Sequence, residues 1–176
     1  VVHRAVFHRL GERDENIDAK VEVAGDHCAV EIVTRVRPQL RHALVQVASD
    51  VDNLHSENNN LTKETVLNER GGTTNGRGDD PNMHDILTGS NLDGTVFTGE
   101  DYTNCGNWTS NGEGSTRVGH HDRTGGGQNP NSWNSAHNTR GCSQEALIGT
   151  GGNGFFYCFA IDGSGQQQPA SAAEPR

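Results

Sequence analysis

Regular alternation of apolar and polar positions is confined to short runs of this chain. In "KVEVAGDHCAVEIV", Val21 and Val23, then Val30 and Ile32, take every second place around Gly25-Asp26. That pattern predicts two short strands joined by a tight turn. In "RPQLRHALVQVASDVDNLHSE" the spacing changes: Leu40, Leu44, Val47, Val51 and Leu54 recur at intervals of four and three. With Pro38 suited to a helix start, a helix is predicted over 39–54. Two heptads are too few for a coiled coil.

From Asn58 onward the punctuation is turn chemistry: "ENNN", "ERGG", "TNGRGDDPN", "TGSNLDGT", "GNWTSNGEGS" and "RTGGGQNPNS". Short strands joined by long loops are expected, with "TVF" at 95–97 and "GFFYCFA" at 154–160 the clearest. The second is apolar at successive positions, which suits a strand covered on both faces. Ser143, ahead of "QEAL", is placed to cap a brief helix. The closing "GSGQQQPASAAEPR" is linker-like and expected to be disordered.

Composition sharpens this picture. Only 31% of the 176 residues are apolar, mean hydropathy is -0.75, and 23 are glycine. Such a chain has little apolar material for a core and needs another form of fastening. Residues 1–50 hold 2 of the glycines and the rest hold 21. The net charge of -9 argues against nucleic acid, whose phosphates call for a basic surface. No run is long enough for a membrane span, and "VVHRAVFHRL" lacks the apolar centre of a signal peptide. An export signal, if one is used, is therefore expected outside this chain.

Cys28, Cys105, Cys142 and Cys158 form an even set without CxxC spacing. Structural zinc usually shows closely spaced ligand pairs, so disulfides in an oxidising compartment are the better reading, against four buried thiols.

Several segments together carry a resemblance. "NNNLTKETVLNERGGTTNGRGDDPNMHDILTGSNLDGT", "CGNWTSNGEG", "VGHHDRTGGG", "SWNSAHNTRGCSQEAL" and "GGNGFFYCFA" resemble a group of bacterial exported domains. That group is similar to the C-type lectin-like fold, of which endostatin is an animal relative. The resemblance covers residues 48–160. It implies an α+β, loop-rich fold with short antiparallel strands and a nested disulfide pair, Cys105 to Cys142 and Cys28 to Cys158. It would also place a strand near Leu44–Ala48, in competition with the helix over 39–54. Residues 1–47 lack the small-residue helix and Trp-containing strand of such domains. They read as an atypical segment, divergent or aberrant, before a domain at 48–160 and a tail at 161–176. A bridge from Cys105 to Cys142 would stabilise by about 4 kcal/mol in the chain-entropy model.

The segment between those cysteines holds most of the candidate chemistry. His120, His121, Asp122 and His137 are the right residue types for zinc. Neighbouring side chains of an extended segment point opposite ways, however, so His120 and His121 cannot both face one ion. No HExxH-like spacing is present. The cluster is therefore expected to be a structural part of the loop, with Asp122 accepting from neighbouring amides or Arg123. Calcium-dependent C-type lectins use Glu-Pro-Asn or Gln-Pro-Asp and then Trp-Asn-Asp. Here Asn129-Pro130-Asn131 and Trp133-Asn134 stand in those places and Ser135 replaces the last acid. Calcium remains a possibility without its usual residues, needing Asp79, Asp80, Asp85, Glu113 and Asp122 to be gathered by folding. "GRGD" at 76–79 reads as a tight turn, and the two sequons, at Asn60 and Asn107, are formal glycosylation matches that would mean little in a bacterial chain. No GxSxG elbow or phosphate cradle is present.

The resulting expectation is a secreted or cell-envelope, non-enzymatic binding module that recognises carbohydrate or extracellular protein through loop 106–141. Its ligand-binding residues would be His120, His121, Asp122, Asn131, Trp133, Asn134 and His137, with Trp133 more readily buried than exposed for sugar stacking. The alternatives are a metal-dependent hydrolase using His120 or His121, Asp122 and His137, or a purely structural envelope or matrix domain.

Overall fold

A computed structural model describes residues 2–9, 46–68, 72–98 and 104–161, with 2–9, 160 and 161 as backbone. The strands expected at 21–32, the first part of the 39–54 helix, Cys28 and the tail lie outside the described residues.

The chain forms a small mixed α/β domain. Its elements are β1 (Val2–Arg9), α1 (Val51–Leu54), β2 (Leu67–Asn68), β3 (Asp85–Leu87), α2 (Asn104–Trp108), β4 (Arg117–His120), β5 (His137–Asn138), α3 (Gln144–Thr150) and β6 (Gly152–Ile161). The strands make one sheet in the order β2-β1-β6-β3-β4-β5. The sheet is mixed, a departure from the antiparallel expectation. β1 runs parallel to β2 and β3 parallel to β6, while β1–β6, β3–β4 and β4–β5 are antiparallel. The parallel β3–β6 pair can form because a long excursion, from 88 to 151, separates the two strands. β1 comes from the compositionally distinct N-terminal segment and lies between β2 and β6.

β6 is an inner strand, and its side chains divide between two apolar clusters. Phe155, Tyr157 and Phe159 pack with Val47, Ala48, Leu54, Leu61, Val66, Ile86 and Trp133. Phe156 joins Leu87, Val118, Leu147 and Trp108 on the opposite face. The period-two alternation of β3 does the same with Ile86 and Leu87. Trp133 is the keystone of the first cluster. Its ring meets Tyr157 and Phe159 edge-on at 5.4 and 5.6 Å, and Nε1 donates to the Leu54 carbonyl at 2.9 Å. A buried indole needs such an acceptor.

The helix predicted over 39–54 is corrected within the described part. Residues 46–50 are not helical, and only Val51–Leu54 makes a turn, N-capped by Asp50, whose carboxylate accepts from Asn53 N at 2.7 Å. Val47 and Ala48 are buried in the core while Val51 is two-thirds exposed, at 66%. The apolar spacing thus came from two separate contacts rather than one helical face. The "TVF" segment makes a single bridge, Ser90 to Val96, rather than a strand. Ser143 does cap α3, its Oγ accepting from Ala146 N at 3.2 Å.

Cys105 and Cys142 form a disulfide, with Cα atoms 5.5 Å apart and a sequence separation of 37. Cys158 lies half-buried in β6. Cys105 sits in α2, whose five residues all have positive φ, from 44° to 66°. α2 is therefore a left-handed turn, a conformation that costs L-residues roughly 1–2 kcal/mol each. Cys105 N donates to Ser115 O, Ser110 N donates back to Cys105 O, and Trp108 packs edge-on against Phe156 at 5.2 Å. The disulfide and these contacts hold the turn.

Candidate functional site

The register of β3 against β4 decides what the long loop can do. Asp85 lies opposite His120 and Leu87 opposite Val118, while Val118 pairs with His137 on β5. Three strand ends therefore bring Asp85, His120 and His137 to one place, and His84 precedes Asp85. His120 and His137 bracket the loop 121–136 at its neck, inside the wider closure made by the disulfide.

The geometry there is close. Asp85 Oδ1 lies 3.2 Å from His84 Nε2, 3.3 Å from His120 Nε2 and 3.5 Å from His137 Nε2. His120 Nε2 and His137 Nε2 are 3.0 Å apart. The His84 and His120 rings stack at 4.2 Å, and His137 meets His120 edge-on at 5.0 Å. His84, Asp85 and His120 are buried and His137 is partly exposed.

The other nitrogen of each imidazole faces an acceptor. His120 Nδ1 is 2.7 Å from the Pro130 carbonyl, His137 Nδ1 is 3.1 Å from the Asn138 carbonyl, and His84 Nδ1 is 3.2 Å from Asp122 Oδ1. A neutral ring that donates from Nδ1 directs its Nε2 lone pair at the Asp85 carboxylate, whereas a protonated ring donates to that carboxylate from Nε2. Burial works to raise the Asp85 carboxyl, but the facing imidazoles of His120 and His137 outweigh it and hold it below the usual range. The same pairing with Asp85 raises His137. Asp122 is held well below the usual carboxylate range: burial opposes ionisation, and His84 and the Arg77 amide prevail.

The other expected site residues go elsewhere. His120 and His121 diverge, as neighbours on an extended segment must. His121 Nε2 faces the Asn75 carbonyl at 3.1 Å, and burial lowers its basicity. Asp122 accepts from Arg77 N at 2.6 Å and Thr124 N at 3.2 Å. Asn131 is exposed and its carbonyl accepts from Arg123 Nε at 3.1 Å. Trp133 is buried. Asp79 turns inward to Gly76 N at 2.7 Å and to Lys63 Nζ, which closes the "GRGD" turn. Of the acids considered for calcium, Asp122 shares His84 with Asp85, and it lies beside Asp79, the two accepting from the adjacent amides of Arg77 and Gly76.

Asn134, expected in the ligand-binding loop, is instead buried and spends its side chain on internal partners, and Arg117, which no sequence pattern announced, does the same. Asn134 Nδ2 donates to Asn91 O at 2.8 Å and lies 3.2 Å from both Leu92 O and Ser90 Oγ, while Thr88 Oγ1 donates to Asn134 O at 2.5 Å. The buried Arg117 donates to Ser135 Oγ, Asn138 Oδ1 and Gln128 Oε1 at 3.1, 3.1 and 2.8 Å. Its guanidinium also sits 4.8 Å from the centre of the Phe97 ring. These two residues clamp the 88–97 segment against the loop. Between them opens a cavity of about 400 Å³ walled by Asn91, Leu92, Asp93 and Phe97 on one side and Gln128, Asn129, Ser135 and Arg117 on the other.

No protein-family model, curated protein or solved structure matches this chain. The site must therefore be read from its own chemistry. Among the described residues, no helix is long and apolar enough to cross a membrane.

Proposed function

We propose that this chain is an exported, non-enzymatic binding module of C-type lectin-like type, taking carbohydrate in the cavity between the 91–97 segment and the loop 128–135. The observation that carries this reading is the makeup of that cavity. It is an open cleft of about 400 Å³, shaped to hold part of a ligand against its walls. Its walls offer three planar amides, a carboxylate, an aromatic ring and the apolar Leu92, which is half exposed at 52%. That mixture suits a ligand with hydroxyls on its edges and apolar ring faces. The walls are set before a ligand arrives, because Asn134 and Arg117 fix both sides from beneath, and preorganisation reduces the cost of binding. The Cys105–Cys142 disulfide supports an oxidising compartment, hence secretion or the cell envelope.

A glycan array probed with the full chain tests the proposal. Binding to a defined glycan class is expected, falling at least tenfold in Phe97→Ala and Asp93→Asn variants. An array without binding, or variants that bind as well as the original, would refute it.

A further inference from the structure

The geometry points to a second site: we propose that Asp85 Oδ1, His120 Nε2 and His137 Nε2 bind a zinc-class divalent ion, with His84 Nε2 as fourth ligand. The ion would act as a structural cross-link at the neck of loop 121–136. This goes beyond the carbohydrate reading and does not depend on it.

Four observations support it. The three atoms form a triangle with edges of 3.3, 3.5 and 3.0 Å. Zinc bonds of about 2.0–2.1 Å in tetrahedral geometry set ligand atoms about 3.3–3.4 Å apart. Second, each imidazole directs its other nitrogen at a carbonyl or carboxylate, namely Pro130, Asn138 and Asp122. Histidines that hold metals use this outer hydrogen bond to fix tautomer and ring direction. Third, neither oxygen of the buried Asp85 carboxylate has a well-directed hydrogen bond among the described residues. A buried carboxylate surrounded by lone pairs is costly without a cation. Fourth, the ligand atoms of His84, Asp85 and His120 also lie within 4.8 Å of one another.

The donor set selects the ion. Imidazole nitrogens favour zinc and its neighbours, whereas calcium and magnesium require oxygen. The His84 ring is stacked on His120 with 11° between planes, so it must tilt for its lone pair to reach a shared ion. Four protein ligands, three of them buried, leave no open position for substrate, which is the character of a structural site rather than a hydrolytic one. His121, buried and adjacent, is no ligand, because its Nε2 faces Asn75 O.

The test uses the full chain, purified without affinity tag or chelator. Elemental analysis should find, or dialysis against zinc should load, one ion per chain. Cobalt added to the metal-free protein should give the intense visible bands of four-coordinate cobalt. His137→Gln, at a partly exposed position, and Asp85→Asn should each weaken binding by at least about 100-fold, beyond the range seen for outer-shell changes. His121→Gln should retain it. Near-ultraviolet circular dichroism checks that each protein is folded; if Asp85→Asn is not, His137→Gln decides alone. The proposal is overturned if the folded original chain takes up no zinc, if His137→Gln binds as tightly as the original, or if cobalt gives only weak six-coordinate bands.

Discussion

Replacing Gly119 by alanine should cost more than the same change at any other glycine among the described residues. Gly119 lies in β4 opposite Ile86, and its back is covered by the chain at Trp133 and Asn134. A Cβ built there falls inside the Trp133 carbonyl group and against the Asn134 amide. The obstacle is backbone, so no rotamer change relieves it. The nearest atom, Trp133 O, would lie at 1.6 Å, so restoring an ordinary contact of about 3.5 Å needs a displacement on the order of 2 Å between β4 and the loop. Two hydrogen bonds span that junction, His120 N to Ser132 O at 2.9 Å and Ala136 N to Val118 O at 2.6 Å. Their net loss is worth about 1 kcal/mol each. Trp133 would also be partly uncovered, and truncating a buried Trp entirely costs about 3–5 kcal/mol. The sum is on the order of 4–5 kcal/mol, against a total stability of about 5–15 kcal/mol for a native domain. Urea unfolding followed by tryptophan fluorescence measures it. Gly126→Ala is the control, in the same loop, where a Cβ meets nothing within 4 Å. It should lie within about 0.5 kcal/mol of the original chain. A Gly119→Ala protein within about 1 kcal/mol of the original would refute the packing of the loop on β4.

Cys142→Ser should lose about 2–5 kcal/mol of stability, and non-reducing peptide mapping of the original chain should recover the Cys105 and Cys142 peptides linked. Trp133→Phe removes the donor to Leu54 O and should destabilise by about 1–3 kcal/mol in the same urea assay. Burial raises the Tyr157 phenol well above its ordinary value near 10. A neutral phenol favoured by folding contributes stability that is full below the unfolded pKa and lost as pH rises towards the folded one. Absorbance titration should therefore show Tyr157 ionising only together with alkaline unfolding, a late step absent from Tyr157→Phe.

Local signals were legible where one residue or one short run decides the outcome. "GFFYCFA" has apolar residues on both faces and became an inner strand. Ser143 capped its helix, and "GRGD" closed a turn. The spacing Leu44, Val47, Val51, Leu54 misled because Val47 and Leu54 enter one core from two different local conformations, with Val51 facing solvent. The site was only half legible. His120 and His137 stood out as chemistry, and the divergence of His120 from His121 follows from extended geometry alone. Asp85 was named only among possible calcium acids and His84 not at all, since nothing but the Asp85–His120 pairing register brings residues so distant in sequence together. The available signal was "HDIL", a histidine and an acid entering an apolar pair. It needed the strand order to acquire meaning. Arg117 gave none, and Asn134 stood out only as a ligand-binding candidate, because the roles of both depend on carbonyls and amides contributed by two loops.

The convergence of three imidazoles on Asp85 is the centre of this account, and anomalous scattering tests it most directly. Crystals of the full chain grown with zinc, measured on either side of the zinc absorption edge, should show one strong peak bounded by Asp85 Oδ1, His120 Nε2 and His137 Nε2. Its distances to those atoms should be about 2.0–2.2 Å. A peak bound elsewhere, or none at that position in a well-ordered map, would contradict it.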